Sequence, residues 1–356
     1  MHDQVKALKV IAQGTVIPAT PLALDEQRNF DERNQRLLMR YYLNCGVGGI
    51  ATAVHSTQFS IRDPKINLFE RVVTVVMEEI ELFEQQNQRT IVRVCGVCGP
   101  IEQALREAEL AKRLGYDAVL LSPGGLNHLS EKEMLERTRQ VAAVMPVIGF
   151  YLQRAVGGRL FSYDYWQSLC EIEGVVAIKC ASFNRYTTLD VARAVASSSR
   201  YGKITLYTGN DDNIVHDLMD VYTFDTSKGK RTVRFLGGLL GHWCVWTKRA
   251  VELHASITKA VERNEIPVYL LTLAAAVTDM NAAVFDPAHD FKGCIPGIHE
   301  VLRRQGLMKN RYCLDAEEDL SEGQSEELDR VRQAYPHLID DDWITEHLAT
   351  WEAGLN

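Results

Sequence analysis

Two kinds of hydrophobic pattern alternate along the chain. Short apolar runs, rich in β-branched residues and closed by Gly, Pro or Thr, read as strands buried on both faces; between them, apolar residues recur at helical spacing. The strand-like runs are 14–21, 49–54, 90–95, 118–122, 147–151, 174–180, 204–208 and 233–238, the last the weakest. The helical stretches are 30–44, 68–86, 100–114, one from 130, 163–172, 189–198, 214–219 and 245–262. Local signals agree: Pro100 suits a first helical turn, Ser130-Glu131-Lys132-Glu133 forms a capping box, and Gly46 and Gly115 follow helices. Eight strand–helix units predict a (β/α)8 TIM barrel over residues 1–262. A doubly wound sheet is the alternative, but no Gly-x-Gly-x-x-Gly follows a strand and no Gly-Lys-Ser/Thr phosphate loop is present. The polar stretch 222–231 reads as a loop or a hairpin. Beyond Pro267 the pattern is helical only (268–284, 297–305, 325–334, 341–351), which predicts a C-terminal helical extension, 263–356. It could serve as a cap or an oligomer surface. The acid-rich stretch 315–327 reads as a solvated loop.

Composition narrows the class. Hydrophobic content of 46%, charged content of 24% and a formal net charge of -8 describe an ordinary soluble domain, with no electrostatic reason to bind nucleic acid or an anionic membrane. No apolar run reads as a membrane span, and the N-terminus lacks the apolar centre of a signal peptide, so a cytoplasmic protein is expected. The eight cysteines are scattered and read as reduced thiols. Cys95-Gly-Val-Cys98 has metal or redox spacing but no second pair, and packing is the simpler reading.

In a parallel barrel the chemistry gathers at the carboxyl ends of the strands. The run Gly174-Val175-Val176-Ala177-Ile178-Lys179-Cys180 carries its one charge there. Partial burial of Lys179 would disfavour the ammonium and free a nucleophilic amine, able to form a Schiff base with a carbonyl. The bland alternative is a lysine that reaches solvent. The other strand ends are Thr20, His55-Ser56-Thr57, Cys95, Ser122, Tyr151 and Thr208-Gly209-Asn210-Asp211. An amine, a phenol and adjacent hydroxyls would together serve imine chemistry. Each has a structural alternative: a packed Tyr151, loop hydroxyls at Ser56 and Thr57, a packed His55, a helix cap at Asn210 and Asp211. His242 and Trp243 could line the mouth or the core.

From about residue 14 to 260 the sequence resembles the dihydrodipicolinate synthase / N-acetylneuraminate lyase family of lysine-dependent class I aldolases. Ile17-Pro18-Ala19-Thr20-Pro21 resembles the opening strand, Phe150-Tyr151 the fifth, Ala177-Ile178-Lys179 the lysine strand, and Thr208-Gly209-Asn210-Asp211 the Gly-x-Asp after strand seven. The resemblance implies that Lys179 forms an imine with pyruvate or another 2-oxo acid and that Tyr151 moves protons. It gives Ser56 a place in the relay and Thr57 one near the substrate carboxylate; a shift of one residue would put His55 in the relay. His55, Thr57, Gly209 and Asn210 are the expected substrate-binding residues. No metal or organic cofactor is expected, and a homo-oligomer, dimer or tetramer, is implied. Departures are plain: Gln58-Phe59 replaces the loop's Gly-Glu, Gly124-Gly125 replaces an aromatic pair, and Val156 falls where an arginine is expected, leaving Arg154 or Arg159 to substitute. These argue against dihydrodipicolinate synthase activity itself. The expected activity is a carbon–carbon lyase or hydro-lyase. A sugar-acid dehydratase with the same lysine, and a catalytically silent barrel acting as a binding protein, are the alternatives.

Overall fold

The computed structural model describes residues 2–355. Its strands are β1 (Val16–Pro18), β2 (Gly49–Thr52), β3 (Val92–Val97), β4 (Ala118–Leu121), β5 (Val147–Leu152), β6 (Val175–Ala181), β7 (Thr205–Thr208), β8 (Tyr222–Thr226), β9 (Gly229–Val233) and β10 (Phe235–Leu240). Eight of them form one parallel sheet in the order β1-β10-β7-β6-β5-β4-β3-β2. A parallel bridge from Ala19 to Ala51 closes the ring, with the Thr20 amide donating to the Ala51 carbonyl at 2.8 Å. The architecture is the expected (β/α)8 barrel. Its last strand begins at Phe235 rather than 233, because Val233 pairs with Tyr222 in the antiparallel hairpin β8–β9. Of the two readings of 222–231, the hairpin is correct.

Strands buried on both faces divide their side chains by parity. In β5, Ile148, Phe150 and Leu152 join the apolar cluster inside the barrel; in β6 Ala177 and Ala181 do so, on either side of Lys179. Val147 and Tyr151, with Ile178 and Cys180, join the layer between sheet and helices. The register pairs Phe150 with Lys179 and Tyr151 with Cys180. A bulge sets that register: Val147 pairs with Val175 but Ile148 with Ala177, so Val176 is the extra residue.

The amino ends of the strands are plugged by a helix the sequence pattern did not announce, Gln4–Gln13. Asp3 caps it, Ala7 and Ile11 are buried, and the Tyr207 hydroxyl donates to the Ile11 carbonyl at 3.0 Å. The opposite end is left for a ligand.

The helices after 262 share the barrel's core. Tyr41 lies against Trp343 and Trp351, and its hydroxyl donates to Asp340 at 2.8 Å. Asp340 also accepts from the Lys248 amide and from Gln305. The helix Val268–Phe285 is, by length and composition, apolar enough to cross a membrane, against the expectation that no stretch would be; half of it is buried. It packs on Ile214–Met219, Cys294–Arg304 and Gln324–Ala334. A chain ending at Glu262 would expose this shared core and is expected to lose the cooperative thermal transition of the full chain. Scanning calorimetry checks this; a fragment that melts cooperatively would contradict it.

Candidate active site

The barrel mouth holds one pocket of about 570 Å³, measured out to its opening. Lys179 lines it from β6 and is buried. Its Nζ stands 4.5 Å from the centre of the Phe150 ring, a cation–π contact that partly replaces lost water. Its stem lies against Gly209, where a Cβ would come within 2.6 Å of the lysine Cε. Gly209 therefore leaves room for the lysine. Asp211, two residues on and of the same parity, also lines the pocket. Asp211 is buried, and its carboxylate accepts from the His242 amide at 2.9 Å. Burial pushes the Lys179 amine below the ordinary lysine range, opposed by the charge of Asp211. Burial likewise pushes the Asp211 carboxyl up, opposed by the His242 amide and by Lys179.

Between these two residues Asn210 points the other way. It is fully buried, accepts from the Phe183 amide at 3.0 Å and donates to Asp217 at 2.8 Å. Asp217 also accepts from Thr208, Asn213 and Arg185, tying down the end of β7. Asn210 thus fixes the scaffold and is absent from the pocket lining. Of the pair expected to bind substrate here, Gly209 reaches the pocket and Asn210 does not.

The loop after β2 brings His55 and Ser56 to the pocket. Ala53 and Gln58, which flank it, take positive φ of 58° and 66°, strained for residues with a Cβ. The Ser56 hydroxyl donates to the Ala19 carbonyl, and the Thr57 hydroxyl donates to the Thr20 carbonyl at 2.6 Å and accepts from the Val54 amide. Thr57 is buried behind the pocket wall. Gln58 accepts from the Leu314 amide at 2.6 Å, fastening the loop to the extension. Burial and the Lys179 charge push His55 down to about 4, so its imidazole stays neutral.

Tyr151 does not join this group. Its ring lies outside the barrel, 4.9 Å from Trp166 and 6.1 Å from Phe161, and it does not line the pocket. Burial raises its phenol. The expectation of Tyr151 beside the lysine is corrected by parity: Phe150 holds that position. Neither candidate arginine reaches the pocket. Arg154 is exposed, and Arg159 donates to the Leu129 carbonyl and covers the Phe161 ring at 5.2 Å. His242 is buried with its imidazole near Asn281 and contributes through its backbone.

Two contributions were not foreseen, the ring of Phe183 and a wall from the extension, Phe285, Phe291, Cys294 and Ile298; Asp211, named among the strand ends with a helix cap as its alternative, lines the same pocket as the amine. The parity of β7, with Tyr207 inward, points to Gly209 and Asp211; nothing in the tail's helical periodicity points to a pocket wall. All eight cysteines are free, and burial raises the Cys98 thiol to about 11, which suits packing. Among the described residues no cluster of His, Cys, Asp and Glu is arranged to hold a metal.

A closed parallel barrel with a buried lysine at the carboxyl end of its sixth barrel strand defines a class of enzyme scaffold. Comparison names it. Residues 12–223 match the model of the dihydrodipicolinate synthetase family, and the chain belongs to that family. Among solved structures, dihydrodipicolinate synthase from Oceanobacillus iheyensis superposes with a TM-score of 0.73 at 15% identity, over 93% of this chain and 99% of that one. N-acetylneuraminate lyase from Fusobacterium nucleatum, complexed with pyruvate, gives 0.70 at 15%, over 92% and 99%. Pyruvate-complexed dihydrodipicolinate synthase from Acinetobacter baumannii gives 0.71 at 17%, over 90% and 98%. No curated protein matches the sequence. Family membership supports an aldolase or lyase activity.

The fit of the lysine stem against Gly209 carries a consequence. Gly209→Ala is expected to displace the Lys179 side chain while leaving far-ultraviolet circular dichroism unchanged, so that labelling of Lys179 by a small ketone and a hydride reductant falls. Undiminished labelling would show that the stem does not need this gap.

Proposed function

We propose that Lys179 forms a Schiff base with a small 2-oxo acid and that the protein makes or breaks a carbon–carbon bond next to the ketone. The single observation that carries this reading is the buried amine, lowered by its surroundings and sharing a pocket with a raised carboxyl. A proton moves easily between two groups whose affinities have been drawn together. The amine adds to the ketone and water leaves. The imine loses a proton from the adjacent carbon and becomes an enamine. That carbon bonds to an aldehyde carbon, whose oxygen takes up the proton, and water then hydrolyses the imine; the lyase direction is the reverse. The protonated imine is the electron sink, so the reading asks for no metal or organic cofactor.

With the phenol of Tyr151 outside the barrel, Asp211 is the group we assign to proton transfer at the carbon. The Ser56 hydroxyl, already donating to Ala19, is left to accept. The silent-barrel alternative draws on the apolar ring at 150, where a proton-moving group would otherwise stand.

Incubation with pyruvate and borohydride is expected to add one reduced pyruvate to the intact protein and none to Lys179→Ala, by mass spectrometry. The labelling rate should rise with pH and level off well below the ordinary lysine value of about 10.4, because the unprotonated amine is the nucleophile. No adduct with any of a panel of 2-oxo acids would overturn the reading in favour of a binding protein. Exchange of pyruvate methyl protons for deuterium separates the roles. Asp211→Asn is expected to slow exchange by about 10²–10⁴-fold while still trapping pyruvate, whereas Tyr151→Phe should leave exchange nearly unchanged. The opposite pattern would return the proton to the tyrosine.

A further inference from the structure

The groups beyond the reacting centre restrict the rest of the substrate. Leu152, Val156, Phe183, Phe285, Phe291 and Ile298 face the same pocket. Lys179 is the one cation among the described lining residues, and the positive charge of its protonated imine stands next to the first carboxylate of the 2-oxo acid. His55 stays neutral, and the other titratable side chain facing the pocket near the amine, Asp211, is an acid rather than a cation. A second carboxylate on the substrate would therefore be buried with no further cation to pair with and in the same pocket as an acid, which is strongly unfavourable. A polyhydroxylated tail would fare little better. Beyond the reacting centre, His55, Gln153 and the lone pairs of the Ser56 hydroxyl are the side-chain partners left to it, too few for several hydroxyls.

The apolar wall is built, not incidental. The rings of Phe183 and Phe291 meet edge to face at 5.7 Å, and both residues hold positive φ, 51° and 64°, which residues with a Cβ seldom adopt. Such conformations persist where their surroundings fix them. The Phe291 amide donates to the Asp286 carbonyl at 3.0 Å. The Asp286 carboxylate binds Ser321, His289 and the Gly293 amide. Gln324 donates to the carbonyls of Ala283, Val284 and Gly293. The turn carrying Phe291 is thus braced from two sides.

We infer that the part of the substrate beyond the 2-oxo acid is uncharged and apolar, so that the protein joins or parts a 2-oxo acid and an aliphatic or aromatic aldehyde. This rests on the imine reading above and deepens it. The bond made or broken is the same, between the enamine carbon and the aldehyde carbon, with the proton passing to the aldehyde oxygen. It disfavours the sugar-acid dehydratase, whose substrate would need partners for several hydroxyls. Phe291, contributed by the extension, is assigned as a specificity-determining residue.

Borohydride trapping tests this on the full chain without requiring turnover. Pyruvate is run as the reference beside 2-oxo-4-phenylbutanoate, 2-oxooctanoate, 2-oxoadipate and 2-keto-3-deoxygluconate, each titrated to half-maximal labelling. The two apolar tails are expected to label at concentrations at least about tenfold below the charged and hydroxylated ones, the discrimination an apolar pocket can give. Phe291→Ala should erase most of that preference while keeping the pyruvate adduct; Phe291→Leu, a milder change that guards against misfolding, should keep most of it. Pyruvate labelling with equal or better labelling by the charged or hydroxylated acids would overturn this inference alone. Absence of labelling by every acid, pyruvate included, would overturn the imine reading and this inference with it.

Discussion

A single amine on the inner wall of a parallel barrel sets the terms for the rest of the structure. Taking an ammonium out of water is costly unless charge or polarisable surface replaces the lost hydration. Here the replacement is small: one aromatic face beneath Nζ and one buried carboxylate across the pocket. The helix Gln4–Gln13 plugs the barrel's other end, and the extension walls the mouth with Phe285, Phe291 and Ile298. Both keep water from dissolving the arrangement. Gly209 gives the lysine stem its channel, and the Asp217 cluster holds the strand end that presents both Gly209 and Asp211.

The same constraint orders the polar groups. Ser56 and Thr57 spend their hydroxyl protons on the carbonyls of Ala19 and Thr20, knitting the β2 loop to β1. Gln58 extends that knit to Leu314. The Gln58 side chain that departs from the family pattern thus has a structural partner in the extension. Substrate-facing chemistry is left to the amine, the carboxyl and a neutral imidazole.

Much of this was legible in the sequence. Eight apolar runs separated by helical stretches predicted the barrel, with a doubly wound sheet left as the alternative that the same alternation allows. Lys179 stood out as the charge that ends an apolar run. What could not be read was the face each strand residue takes. A strand buried on both sides has no polar alternation, so Phe150 and Tyr151 are equivalent to any periodicity argument. The bulge at Val176 and the pairing of Phe150 with Lys179 decide between them. In β7 a parity count from Tyr207 would have chosen Gly209 and Asp211 over Asn210, and that signal went unused. The wall supplied by residues 285–298 was not readable, because it depends on where the extension docks. The N-terminal helix was also missed, its buried side being little more than Ala7 and Ile11.

The most direct test of the central claim is an experimental structure of the protein soaked in pyruvate. Continuous density from Lys179 Nζ to the ketone carbon, over the Phe150 ring, with Asp211 facing the methyl carbon and Tyr151 outside the barrel, is the predicted result. Pyruvate bound without a covalent link, or a lysine turned out to solvent with the Tyr151 phenol in the pocket, would contradict it.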